Sequence, residues 1–279
     1  MKVAVIGAGL MGTGISQTCA QAGYEVINID SFEAAIGKAK ASLNALFDKR
    51  VAKGKITQED KDAVLGRISY SMDMADCAGA QIIIEAVPEK IDLKKAVFAQ
   101  LDEKADPEAL LFSNTSGLSI SEIASATKRP DKVMGMHFFY PAPVMKLIEL
   151  VRGLVTSDET YACGKQFAES LGKTTVDAPE YPGFMVNRIL VPMQNEAAFM
   201  VMEGSKPEDV DNAMKLGCNF PMGPLELTDF VGVDIVLGTM NSIYNGFKDS
   251  KYRPCPLLET MVKAGHLGRK SGQGFYKYD

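Results

Sequence analysis

Several things are scarce in this chain, and each scarcity excludes something. No apolar run reaches the roughly 20 residues that a bilayer-spanning helix needs. The five cysteines, at 19, 77, 163, 218 and 255, are scattered and odd in number, with no CxxC pair and no His/Cys cluster. That pattern speaks against a structural metal site or a disulfide framework and fits free thiols in a reducing compartment. Positive charge is not in excess. With 30 Lys+Arg against 35 Asp+Glu the formal net charge is -5, which argues against nucleic acid or an anionic membrane as a general partner. Repeats and low-complexity segments are missing, and the N-terminus runs from one lysine straight into an apolar strand rather than a signal or transit peptide. The expectation is a soluble, cytoplasmic protein with no bound metal. Histidine is rare as well: only His137 and His266.

What is present is ample for folding. A length of 279 residues, 46% apolar, suits one large domain or two unequal ones with a sizeable core. Lys2–Ile6 reads as a buried strand, Gly12–Ala22 as a helix closed by Gly23, and Glu25–Asp30 as a second strand, the start of a βαβ unit. Ser31 is placed to cap a long helix running towards Lys53. Thr57-Gln58-Glu59-Asp60 has capping-box character and opens a partner helix, so the two predict an inserted helical hairpin. Strands follow at Arg67–Tyr70, Gln81–Val87, Leu110–Ser113 and Lys132–His137, with helices near Lys90–Lys104 and Ser119–Thr127. Lys146–Val151 should run antiparallel after a Pro-rich turn, and Thr174–Asp177 should be the last strand. Beyond Pro179–Gly183 the pattern is helical, beginning with Phe184–Glu203. The expected fold is α/β: a Rossmann-type doubly wound sheet domain over residues 1–182, followed by a smaller all-α domain over residues 183–279.

Two motifs carry chemistry. Gly7-x-Gly9-x-x-Gly12 stands between a strand and a helix, the context a dinucleotide fingerprint requires. Gly7 permits the tight turn, Gly9 the approach of pyrophosphate, and Gly12 close helix–strand packing. Leu10 and Met11 lie between the last two glycines, at the helix N-terminus whose N–H groups would face the phosphates. Asp30 ends the second strand, where its carboxylate can bind the adenosine ribose and would repel a 2′-phosphate. NAD is thus favoured over NADP.

The second motif is His137 at the end of an apolar strand, with Glu149 on the next strand-like run. An imidazole held by a carboxylate is a proton-transfer device. A lone histidine is more often a hydrogen-bonded core residue, but an unpaired carboxylate inside an apolar strand is expensive and argues for a pair. Ser116, reached through Asn114-Thr115, also follows a sheet strand, so it lies on the ligand face of an open α/β sheet. Its alternative is a loop hydroxyl bonded to backbone. Asn187, early in the first helix of the second domain, has an amide suited to a substrate carbonyl or, equally, to a helix surface. A hydride carrier beside a proton relay implies alcohol–carbonyl redox chemistry.

The stretches GAGLMGTGI, IIIEAVPE, SNTSGLSI, HFFYPAPVMKLIEL, PGFMVNRIL, AMKLGCNFPMGPLEL and the terminal GRKSGQGFYKY together resemble the L-3-hydroxyacyl-CoA dehydrogenase family, and its stand-alone bacterial members in particular, across essentially the whole chain. The resemblance implies reversible NAD-dependent oxidation of a short-chain (S)-3-hydroxyacyl-CoA such as 3-hydroxybutyryl-CoA, giving acetoacetyl-CoA. It implies that His137 and Glu149 are the acid–base pair and that Ser116 and Asn187 contact substrate. It adds Glu89 and Lys94 to the cofactor contacts, and Asn114 and Ser116 stand in the loop beside them. It also implies that the early hairpin, with Lys49, Arg50, Lys53 and Lys55, helps to bind coenzyme A, and that the helical domain forms a homodimer or higher homo-oligomer. Two positions depart from the family. Tyr140 replaces a usual asparagine near the nicotinamide, and Gly117 replaces a common serine. The rival readings are another Rossmann-type hydroxyacid dehydrogenase, whose usual base is lysine, and a non-catalytic NAD-binding relative of the crystallin type.

Overall fold

A computed structural model describes residues 1–278 and divides the chain into two compact units, Met1–Glu180 and Tyr181–Asp279. The first unit alternates strands and helices: β1 (Lys2–Ile6), α1 (Leu10–Gln21), β2 (Glu25–Ile29), α2 (Glu33–Ala52), α3 (Gln58–Gly66), β3 (Ile68–Ser71), β4 (Ile82–Glu85), α4 (Ile91–Lys104), β5 (Leu110–Ser113), α5 (Ile120–Ala124), β6 (Val133–Phe138), β7 (Leu147–Arg152), α6 (Asp158–Ser170) and β8 (Thr174–Ala178). One eight-stranded sheet results, in the order β3-β2-β1-β4-β5-β6-β7-β8. Every neighbouring pair is parallel except β6 and β7. Parallel pairs need a crossover between them, and the intervening helices provide it. The central strands are buried along most of their length, as sheets covered on both faces must be. Val3, Val5, Ile82, Ile84, Phe112, Met134, Met136, Ile148 and Leu150 form one core with Ile15 and Cys19 of α1.

The strand order reverses at β1, which pairs with β2 on one side and β4 on the other. Helices leaving the carboxyl ends of the strands on either side of that point open a crevice there, the usual ligand position of such sheets. The glycine turn after β1 lies at that point.

Local details differ from the sequence expectation. Helix α1 begins at Leu10, with Gly9 as its N-cap, so Gly12 sits within the first turn rather than at its start. Ser31 does not cap α2. The N-cap is Phe32, without a side-chain bond, and Asp30 Oδ1 accepts from the Phe32 N–H at 2.9 Å. At α3 the Thr57 hydroxyl accepts from Asp60 N–H while the Asp60 carboxylate accepts from Thr57 N–H, a reciprocal box. Helix α5 is shorter than its pattern implies, although Ser119 does cap it.

The second unit is helical: α7 (Val186–Met202), α8 (Pro207–Cys218), α9 (Pro224–Val231), α10 (Val233–Phe247) and α11 (Pro256–Lys263). Gly183 and Phe184 both have positive φ, which delays the start of α7 by two residues. Val191, Ala198, Val236, Met240, Ile243 and Leu258 make its core. Two buried carboxylates organise the rest. Asp211 accepts from Leu225 and Glu226 N–H at the start of α9 and from the Tyr276 hydroxyl. Asp229 accepts from Phe275 N–H, Tyr276 N–H and the Tyr278 hydroxyl. Together they strap the C-terminal segment to the helices.

Candidate active site

The glycine turn has the shape its spacing predicts. Gly7 takes φ +106°, and a side chain there would meet Ala86 O at 2.7 Å. A Cβ on Gly12 would lie 1.9 Å from Gly7 O, whereas one on Gly9 would meet nothing within 4 Å. Gly12 is thus filled by protein, while the space before Gly9 is left open to a ligand. No side chain caps α1, so its first-turn N–H groups, those of Leu10, Met11 and Gly12 among them, have no intrahelical acceptor. Asp30 Oδ2 accepts from Ala8 N–H at 2.7 Å, which pins the carboxylate against the turn. Buried Asn28, unremarked in the sequence, donates to Gly7 O at 2.8 Å and Val5 O at 3.2 Å and braces the turn from behind. Open space, an uncapped helix N-terminus and an adjacent carboxylate suit the pyrophosphate and ribose of a dinucleotide.

His137 and Glu149 are direct register partners across the antiparallel β6–β7 pair. Side chains opposite one another share a sheet face, and here His137 Nδ1 donates to Glu149 Oε2 at 2.7 Å. His137 is 6% exposed and Glu149 fully buried. Holding the proton on Nδ1 puts the basic lone pair on Nε2, the tautomer a proton acceptor needs. The Phe139 ring packs 4.5 Å from the imidazole, tilted against it.

The loops after β4 and β5 carry a connected polar network. Buried Glu85 accepts from Lys94 Nζ at 2.7 Å, Val87 N–H at 2.7 Å and the Ser113 hydroxyl at 2.6 Å. Lys94 Nζ also reaches Val87 O at 3.3 Å and Glu89 Oε2 at 3.3 Å. Its three protons are therefore all taken inside the protein. Glu89 Oε1 accepts from the Thr115 hydroxyl at 2.6 Å, Ser116 N–H at 2.8 Å and the Ser116 hydroxyl at 3.1 Å. Asn114 splices β5 to β6 by accepting from Phe138 N–H at 2.8 Å. Three residues named from sequence, Glu89, Lys94 and Ser116, are thus brought into one cluster. Glu85, at its base, was not foreseen. The available signal was the one that exposed Glu149: a carboxylate closing an apolar strand.

Tyr140 is 52% exposed in the β6–β7 loop, and its bond to Pro141 is cis. Lys49 and Arg50 lie in the last turn of α2 and Lys53 caps it, where positive charge complements the helix dipole. Arg50 also rests 5.6 Å over the Phe47 ring. Asn187 is the second residue of α7, in the second unit, and is half-buried there.

Residues 2–181 match the family description "3-hydroxyacyl-CoA dehydrogenase, NAD binding domain", and residues 183–278 match "3-hydroxyacyl-CoA dehydrogenase, C-terminal domain". The chain belongs to the 3-hydroxyacyl-CoA dehydrogenase family. Its cofactor is accordingly NAD. Among relatives in this family, it is 48% identical over 283 residues to the probable 3-hydroxybutyryl-CoA dehydrogenase of Bacillus subtilis (strain 168), covering 100% of this chain and 97% of that one. It is 48% identical over 280 residues to the 3-hydroxybutyryl-CoA dehydrogenase of Clostridioides difficile, covering all of both. The crystal structure of (S)-3-hydroxybutyryl-CoA dehydrogenase from Ralstonia eutropha matches with a TM-score of 0.95 at 45% identity, covering 100% of this chain and 99% of that one. Among the described residues, no helix is long and apolar enough to cross a membrane.

Proposed function

We propose that this protein catalyses the reversible oxidation of a short-chain (S)-3-hydroxyacyl-CoA, 3-hydroxybutyryl-CoA foremost, to the 3-ketoacyl-CoA. The observation that carries the proposal is the His137–Glu149 pair at the carboxyl end of a sheet strand, in a chain whose family and relatives act on such thioesters. NAD, when bound, supplies the hydride acceptor for C3. His137 Nε2 takes the hydroxyl proton in oxidation and returns it in reduction. Glu149 orients the ring through Nδ1 and stabilises the imidazolium that forms. Ser116 and Asn187 position the reacting oxygen and the thioester end, a contribution of orientation and polarisation.

In the same reading, the glycine turn with Asp30, Asn114, Glu89 and Tyr140 forms the cofactor site, and Lys94 supports it through Glu85 and Glu89. Lys49, Arg50 and Lys53 face the phosphates of coenzyme A. Residues 1–182 are the cofactor-binding domain, and 183–279 the substrate and dimerisation domain. A homo-oligomer through the second unit belongs to the same reading; Ile189, Leu216 and Ile235, on α7, α8 and α10, are apolar side chains exposed there.

The test is loss of NADH absorbance on adding acetoacetyl-CoA, compared with free 3-keto acids. His137→Ala should lower turnover by roughly 10²–10⁴-fold. Near-normal turnover in that variant, or indifference to the thioester, would overturn the proposal.

A further inference from the structure

Lys173 stands immediately before β8 and is only 9% exposed. A buried ammonium normally has a carboxylate partner. Lys173 has none among the described residues. Its Nζ instead donates to two backbone carbonyls, Ala142 O at 2.6 Å and Met145 O at 2.8 Å. Both belong to the 139–146 loop, which joins the strand bearing His137 to the strand bearing Glu149. The titratable group it senses on the neighbouring helix is the Cys19 thiol of α1. Burial pushes that thiol up to about 12, so it stays neutral.

The loop has few hydrogen bonds of its own. Val144 and Met145 N–H both turn back to Pro141 O, at 2.9 and 3.0 Å. On its other side it rests on the dinucleotide helix: a Cβ at Gly14 would lie 3.4 Å from Ala142 Cβ and 3.5 Å from Pro143 Cδ. Gly14 is two residues beyond Gly12. Thr174 N–H secures the end of the loop by donating to Lys146 O at 2.7 Å, and the ammonium ties its middle, at Ala142 and Met145, to the start of β8, beside the helix that begins at the pyrophosphate turn. A dinucleotide extending from that turn towards His137 would pass the loop along the carboxyl edge of the sheet.

We infer that Lys173 is a positioning residue for the nicotinamide half of the cofactor: it holds the 139–146 loop at the height that lets an extended NAD lie between α1 and the His137 strand. This inference rests on the NAD-dependent reading above but not on the identity of the thioester. A methionine at 173 keeps the stem and removes the donors, which frees both carbonyls and lets the loop drift. A misplacement of about 1 Å near a reacting centre can cost on the order of 10²-fold. An arginine keeps a charged donor able to serve two acceptors.

The experiment measures NADH affinity by cofactor fluorescence, and then kcat and both KM values with acetoacetyl-CoA, for wild type, Lys173→Met and Lys173→Arg. Lys173→Met should weaken NADH binding severalfold and lower kcat/KM for NADH by roughly 10–100-fold. The KM for acetoacetyl-CoA should stay near its original value, and Lys173→Arg should recover most of the loss. A folded Lys173→Met with unchanged NADH affinity, or an equal rise in both KM values, would overturn the inference. A second measurement needs no variant. NADH should slow hydrogen exchange of the amides of Ala142, Val144, Met145 and Lys146 in the wild-type protein, and no protection there would also overturn it. If the wild type binds NADH but leaves acetoacetyl-CoA unreduced, the thioester reading fails while both readouts on Lys173 still stand.

Discussion

Replacing Glu149 with glutamine separates orientation from charge at the candidate proton pair. The amide has nearly the volume of the carboxylate, and its oxygen can still accept from His137 Nδ1, so the ring keeps its tautomer. What disappears is the negative charge beside a ring that becomes positive during reaction. Opposite unit charges at the observed 2.7 Å attract by about 6 kcal/mol in an effective dielectric of about 20. Relaxation of the surrounding dipoles returns part of this, and about half of it surviving would correspond to roughly 10²-fold in rate, at 1.36 kcal/mol per tenfold. Glu149→Gln should therefore lower kcat by roughly 10²-fold with little change in the KM for either substrate. Glu149→Ala, which also frees the ring to rotate, should cost more. The assay is steady-state NADH oxidation by acetoacetyl-CoA, with circular dichroism to show that the variant is folded. A folded Glu149→Gln enzyme within about threefold of wild-type kcat would refute the charge argument, since the 1.36 kcal/mol per tenfold scale leaves almost no electrostatic contribution in that case.

Three further outcomes follow from the structure. Gly12→Ala places a Cβ 1.9 Å from Gly7 O, so the turn must open; NADH affinity measured by fluorescence titration should fall by roughly 10²-fold. Asp229→Ala leaves two backbone N–H groups and the Tyr278 hydroxyl without their acceptor. At about 1 kcal/mol for each part-buried donor stranded, urea denaturation should show a loss of about 3 kcal/mol. Burial, reinforced by the bond to Asp229, pushes the Tyr278 hydroxyl up to about 12. Its contribution to stability is fully present below the ordinary tyrosine value of 10 and is lost as pH rises through 12; Tyr278→Phe should show a shallower alkaline loss over that window.

Much of the molecule was legible in the sequence because its signals were local. The strand–glycine–helix spelling at residues 2–12 specifies a turn, and the turn forms with the contacts that spelling predicts. Glu149 was visible because a carboxylate in an apolar strand needs a partner, and His137 was the candidate two runs of chain could bring to it. Glu85 offered the same signal at the end of Ile82-Ile83-Ile84 and passed unread, since its partners Lys94 and Ser113 come from a helix and a strand that only the tertiary fold brings together. Lys173 carried no signal at all: its partners are backbone carbonyls, which a sequence does not mark. Ser31 shows the opposite error. A good capping residue has no role because the helix starts one residue later, with Phe32 as its N-cap. Asp211 and Asp229 carried no local signal, since the backbone N–H groups and tyrosine hydroxyls they accept from are brought to them only by the tertiary fold.

The antiparallel step between β6 and β7 also bears on how the protein reaches its native state. His137 and Glu149 are 12 residues apart, so they meet within a hairpin-like unit. Val3 and Ile82, register partners in the sheet centre, are 79 residues apart, with a helical hairpin between them. Loop-closure entropy makes the longer contact costlier by about 1.7 kcal/mol. Pulse-labelled hydrogen exchange during refolding should therefore show amides of β6 and β7 protected before those that join β1 to β4. The strands bearing the proton pair would assemble first, with the cofactor cradle arriving later around them.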